Sequence, residues 1–394
     1  MKELQEEVFG KISRKDIIKQ VLQGLAYIHS NTDKHNNNIS HRDVKPENIV
    51  IVRLARDGSL IFKFTDFDSA KELDQNVLAC ITSGVFTEIY KAPEIGATKA
   101  KGDQMGGLDY VKGDGYAAGL VVHDVLTDGK HAFEGKSDAE TVTKMENDDR
   151  STLIKSPIEE MARNIVWTLT HQNPKVRIPM EEVLNLPYFS DPNTHIQFIN
   201  VLNETLIQMD DSKLETQRIK AKLNESFFML FDKPWKTLKF VLPQMLKRSK
   251  YSNSVACFFR HNRNLLLHAA QHKELLEKEF GEAFSDVQLL QMILEEVPPY
   301  LIHLYWFAKR HLPHLALAKN LPEECALAYE EQMKAKEKEL GARLAELRSI
   351  VDDEAKAPHV DVDELKMMQV RRFVSTFVKL ILIMLFMTPG KNAG

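Results

Sequence analysis

The chain has 394 residues, 43% apolar and 27% charged, with a formal charge of -4. That length supports two or three domains, each with its own core, and the mild charge excludes a molecule that is basic throughout. Three cysteines, Cys80, Cys257 and Cys325, lack C-x-x-C spacing, which supports neither a zinc knuckle nor a disulfide framework and points to a reducing compartment.

The amino-terminal ten residues are charged and lack a signal-peptide pattern. From Asp16 to His29 the apolar residues Ile17, Ile18, Val21, Leu22, Leu25 and Ile28 recur at helical spacing, which predicts an amphipathic helix. Asn48 to Phe64 alternates β-formers about Asp57-Gly58, the pattern of a hairpin. Ala117 to Leu126 is apolar nearly all round, so a buried helix is expected. From about residue 190 to 315 the signals are helical only. A charged helix follows, then a Pro/Asp-rich break at Ala357 to Asp363 and an apolar tail. The expected class is α+β multidomain, divided at 1–189, 190–315 and 316–394.

His41-Arg42-Asp43-Val44-Lys45-Pro46-Glu47-Asn48, then Asp66-Phe67-Asp68 and Ala92-Pro93-Glu94, resemble the catalytic loop, metal-binding motif and activation-segment end of protein kinases. Phosphoryl transfer needs a carboxylate to accept the hydroxyl proton (Asp43) and a cation beside the moving group (Lys45). It also needs oxygen ligands for magnesium, here Asn48 and Asp66. Asp114 to Gly119 resembles the buried helix after the activation segment, and Arg177 after Asn173-Pro174 resembles the arginine that pairs with Glu94. Thr82, Ser83 and Thr87 are candidate phosphorylation sites with Arg42 as partner, or equally the ordinary hydroxyls of an exposed loop. Asp68 stands where kinases usually carry glycine. The chain starts at the helix before the catalytic loop, without the glycine-rich loop and strand lysine that hold ATP phosphates. This polypeptide alone is therefore expected not to be a competent kinase, and ATP or ADP with Mg2+ is implied only if a longer product supplies that lobe.

Lys233 to Lys273 contains nine lysines and arginines, with His261, His268 and His272, and no Asp or Glu. Such segregation suits a polyphosphate-binding face, with Lys247, Arg248, Lys250 and Arg260 as RNA contacts; a solvated basic surface is the plain alternative. Within it, Asn264 and His268 are one helical turn apart, next to Arg263. Metal-free RNA cleavage requires a base for the 2′-hydroxyl, an acid for the leaving 5′-oxygen and a cation for the phosphorane. Histidine suits the acid and arginine the phosphate.

An all-helical segment directly after Leu186-Pro187-Tyr188-Phe189, carrying Tyr251 and then Arg263-Asn264-x-x-x-His268, resembles the kinase-extension nuclease family of ribonuclease L and the inositol-requiring unfolded-protein-response sensor. Trp235, Lys247 to Tyr251 and the closing Val297-Pro298-Pro299-Tyr300 share the resemblance, which runs from about residue 12 to 313. It implies His268 as general acid, Tyr251 as base or its positioner, Arg263 on phosphate and Asn264 orienting. No cofactor is implied for cleavage. The implied product is a 2′,3′-cyclic phosphate, and the implied partners are RNA and a second copy of the chain. The expected location is the cytoplasm or the cytosolic face of the endoplasmic reticulum.

Cys325 to Val351 reads as a helix with partial heptad spacing, either self-associating or packed on the nuclease segment. Phe373 to Met387 is apolar behind Arg371-Arg372. At about 1.5 Å per residue it falls short of a hydrocarbon core of about 30 Å, and Lys379 interrupts it. Partner docking or burial is favoured over a membrane anchor.

Overall fold

The computed structural model describes residues 12–31, 39–67, 88–96, 109–228 and 285–315. It also describes single positions between 258 and 278 and most residues between 325 and 345. Two compact units divide the chain: Met1–Leu202 with Leu301–Gln332, and Asn203–Tyr300 with Met333–Gly394. Compactness thus divides the molecule differently from the motifs, because the chain returns to the first unit after residue 300.

In the first unit, α1 (Arg14–Ser30) begins where the Ser13 side chain accepts from the Asp16 amide, and it buries Ile17, Ile18, Val21, Leu22 and Leu25. Capping satisfies an end N–H that the helix itself cannot. The expected hairpin forms as β1 (Ile49–Arg53) and β2 (Leu60–Phe64), antiparallel, with Ile49 opposite Phe64 and Arg53 opposite Leu60. Its turn uses Gly58 at φ +70°, where a side chain would be strained, while Asp57 accepts from the Ser59 amide.

The buried helix is α2 (Tyr110–Thr127), longer than its apolar run, with every residue from Gly113 to Asp124 buried. Asp109 caps it by accepting from the Lys112 amide at 3.0 Å. After α3 (Asp138–Glu146) and α4 (Ser151–Lys155) comes α5 (Glu160–Leu169), buried along its whole length. Gly119 lets α2 and α5 approach closely: a Cβ there would stand 2.8 Å from Leu169 Cβ and from Thr170 Cγ2. Leu301 to Leu312 and Cys325 to Gln332 complete the first unit, and the tail helix passes into the second unit at Met333. The tail helix meets His303 and Arg310, within the 190–315 segment on which it was expected to pack, and it reaches further. Its polar side chains find buried partners on α5 and on the turn after it.

In the second unit, α8 (Leu214–Phe228) follows α6 (Met180–Val183) and α7 (Pro192–Gln208) in the chain. Thr216, Ile219 and Leu223 are buried at helical spacing. Helix α9 (Asp286–Glu296) starts in a capping box between Ser285 and Gln288 and buries Leu289, Leu290 and Ile293. Helix α10 (Tyr300–His311) follows in the chain, and from Leu301 on it belongs to the first unit. Among the described residues, no helix is long and apolar enough to cross a membrane; residues 373–387 lie outside them.

Candidate functional site

The catalytic-loop motif is built around a buried carboxylate. Asp114, on α2, accepts from the His41 amide at 2.7 Å, the Arg42 amide at 2.8 Å and Ser40 Oγ at 2.8 Å, with His29 Nε2 at 3.0 Å. Only 2% of its side chain is exposed, so each bond replaces lost hydration. The bonds hold Arg42 at φ +67°, a conformation that is costly for a long side chain. Arg42 lies 4.3 Å above the Tyr110 ring centre. Desolvation pulls its guanidinium below the ordinary arginine range, against the opposing charges of Tyr110 and Asp114.

The reactive groups follow at once. Asp43 Oδ2 lies 2.8 Å from Lys45 Nζ and accepts from Asn48 Nδ2 at 2.8 Å. The same amide donates to the Asp43 carbonyl at 2.9 Å, so Asn48 offers its oxygen to a cation. The Thr65 amide bonds to the Asn48 carbonyl at 2.9 Å, and Asp66 follows, exposed and at φ +63°. Both are hard oxygen donors, fitting a Mg2+ completed by phosphates and water. Among the described residues no group of three or more His, Cys, Asp or Glu could hold a metal ion, so these two stand as a partial set. His41 ties the motifs together: its Nδ1 faces the Asp43 amide, its Nε2 donates to Thr65 O at 3.0 Å, and its ring centre is 4.9 Å from that of Phe67.

The expected Arg177–Glu94 pair forms as a two-bond clamp at 2.6 and 2.8 Å. Nearby, Tyr90 donates to Asp124, and His131 Nε2 donates to Ile89 O at 2.8 Å. Desolvation raises the Asp124 carboxyl to about 7 and lowers His131 to about 4.

Of the expected nuclease residues, Asn264 is described, half-buried and helical, near Phe258, His261 and Asn262. Tyr251, Arg263, His268, Lys247, Arg248, Lys250 and Arg260 lie outside the described residues, as do Thr82, Ser83 and Thr87. One member of the basic set is corrected. His261 is fully buried and desolvation holds it near 4, so it is neutral at physiological pH and offers no charge to phosphate. Its neighbour Asn262 donates to Tyr300 Oη at 3.4 Å, and Phe258 meets the Tyr300 ring edge-on. That turn therefore has a core side, which the charge pattern did not reveal. Sequence reasoning also missed His29 and the anchoring role of Asp114.

Residues 1–189 match the protein kinase domain model. A probable serine/threonine-protein kinase, fhkD, of Dictyostelium discoideum is 30% identical over 191 residues, covering 46% of this chain and 24% of the relative. The serine/threonine-protein kinase/endoribonuclease ire-1 of Caenorhabditis elegans is 24% identical over 313 residues, covering 77% of this chain and 30% of the relative. MAP kinase-activated protein kinase 2 of Mus musculus is 25% identical over 260 residues, 64% of this chain and 62% of the relative. A crystal structure of the Rad53 kinase domain and SCD2 matches with TM-score 0.34 and 25% identity over 45% of this chain and 57% of that one. The chain thus spans about a quarter to a third of the length of the first two relatives. The catalytic loop held on Asp114 and the Arg177–Glu94 clamp lie in this stretch, so residues 1–189 are similar to the protein kinase domain family, with serine/threonine kinases among their relatives.

Proposed function

We propose that this chain is a metal-independent endoribonuclease carried on a kinase-like lobe. The observation that carries the reading is the reach of the likeness to the kinase/endoribonuclease: 313 residues, more than the kinase match over 1–189 accounts for. The acid-free run from Lys233 to Lys273 falls in the additional part. In this reading the RNA 2′-oxygen attacks phosphorus as Tyr251 takes or orients its proton. The P–O5′ bond breaks, and His268 protonates the leaving 5′-oxygen. Arg263 neutralises the phosphorane and Asn264 orients it, leaving a 2′,3′-cyclic phosphate. Pairing with a second copy, and work in the cytoplasm or at the cytosolic face of the endoplasmic reticulum, belong to the same proposal.

A second reading is phosphoryl transfer, supported by the Asp43–Lys45–Asn48 geometry. Incubation of the full chain with a stem-loop RNA in excess EDTA separates the two. Cleavage that falls by about two to four orders of magnitude in His268→Ala and Arg263→Ala supports the first. Absence of cleavage at high protein concentration leaves a non-catalytic scaffold. Phosphate transfer to a protein substrate, with Mg2+ present and abolished in Asp66→Ala, supports the second.

A further inference from the structure

The tail helix sets four consecutive residues against the first unit. Tyr329 Oη lies 3.1 Å from His303 Nδ1, and Glu330 pairs with Arg310. Glu331 Oε2 is 2.7 Å from His171 Nε2, and Gln332 Oε1 accepts from Asn164 Nδ2 at 2.8 Å. The oxygen of the same Asn164 amide, Oδ1, accepts from Trp306 Nε1 at 2.9 Å, so Asn164 joins α5 to α10 and to the tail at once.

His171 is the informative contact. Its Nδ1 accepts from the Asn173 amide at 3.0 Å, which places the ring proton on Nε2, facing Glu331. The backbone of the same turn faces the other way, toward Arg177. That guanidinium has five N–H donors, and all five are engaged. Nε donates to His171 O at 2.6 Å. Nη1 donates to Glu94 Oε1 at 2.6 Å and to Lys112 O at 3.0 Å. Nη2 donates to Glu94 Oε2 at 2.8 Å and to Gln172 O at 3.3 Å. Two of these five acceptors belong to the turn that Glu331 holds. Because Arg177 is wholly buried, any shift of that turn leaves donors unsatisfied away from water.

We propose that the tail helix is a strap whose attachment at Glu331–His171 sets the Arg177–Glu94 clamp, and through it the order of residues 92–96 at the end of the activation region. His171 is a positioning residue in this device. Glu94 sits in the turn where the Ile95 and Gly96 amides bond back to Ala92 O at 3.0 and 3.1 Å, so those amides report on the clamp. The proposal is independent of RNA cleavage.

The test is amide hydrogen exchange, read by mass spectrometry on the full chain. Glu331 is 54% exposed, so Glu331→Lys removes the acceptor without burying anything new. Glu331→Gln keeps an acceptor oxygen, and Arg177→Lys breaks the clamp directly. The expected result is exchange about tenfold faster at 92–96 in Glu331→Lys, with the β1–β2 amides unchanged. Arg177→Lys should reproduce the acceleration, and Glu331→Gln should restore most of the protection. Unchanged exchange at 92–96 in Glu331→Lys overturns the proposal whatever Arg177→Lys does. Equal acceleration at β1–β2 also overturns it, because the helix is then only a general stabiliser.

Discussion

The catalytic corner and the base of the same lobe solve one problem in two ways. At the corner a single carboxylate, Asp114, gathers backbone amides and side chains from a short stretch of chain, His29 to Arg42. At the base a single amide, Asn164, joins side chains 142 and 168 residues away in sequence. The corner uses a charge to fix backbone strain beside reactive groups. The base uses a neutral group to dock helices. A buried charge is costly to leave unpaired, whereas a buried amide is cheaper and directional. The comparison teaches that the strongest group is spent where geometry must hold closest.

Removing each hub should therefore cost differently. Asp114→Ala strands four donors and releases Arg42 from its positive φ; unfolding in urea should show a loss of about 4 kcal/mol. A loss under about 1 kcal/mol would erase the distinction drawn between the two regions.

Acid should find the base next. His303 is buried against Tyr329, and desolvation holds it near 3. The unfolded chain takes up this proton near pH 6.5 and the folded chain does not. Stability present above pH 6.5 is lost as pH falls, at about 1.4 kcal/mol per unit, or about 2 kcal/mol by pH 5. Urea midpoints at pH 7 and pH 5 measure it, and His303→Gln should shrink the difference by that amount.

The smallest effect expected is that of Asn164→Ala, which leaves Gln332 Oε1 and Trp306 Nε1 without this partner at a cost of about 1 kcal/mol. Protease cutting within 325–335 should increase in this variant while the β1–β2 hairpin keeps its resistance. Cutting at an unchanged rate would mean that the tail holds by apolar contact alone.

How much of this was legible in sequence follows from the range of each interaction. The helix from Asp16, the hairpin about Gly58 and the buried α2 all rest on periodicity or turn chemistry within twenty residues, and all are present. Asp43, Lys45 and Asn48 fall within six residues and meet as their types suggest. Glu94 and Arg177 are 83 residues apart, and their pairing was legible through resemblance to kinases, not through any local pattern. Asn164, His171 and Glu331 left no trace. An asparagine inside an apolar helix, a histidine after it and a glutamate on a charged helix each have an ordinary reading alone. His261 shows the opposite failure, since counting charge along the chain ignores which side of a helix faces the core.

The return of Leu301–Gln332 to the first unit has a consequence for biosynthesis. A ribosome finishes the catalytic loop and α5 early, yet the partners of Asn164 emerge only with Trp306 and Gln332. Through some 130 residues of further translation, α5 presents a face whose cover has not been made. The lobe that comes first in the chain is thus completed only after Asn203–Tyr300 of the second unit has been made, and a nascent chain halted before residue 300 offers that face to chaperones.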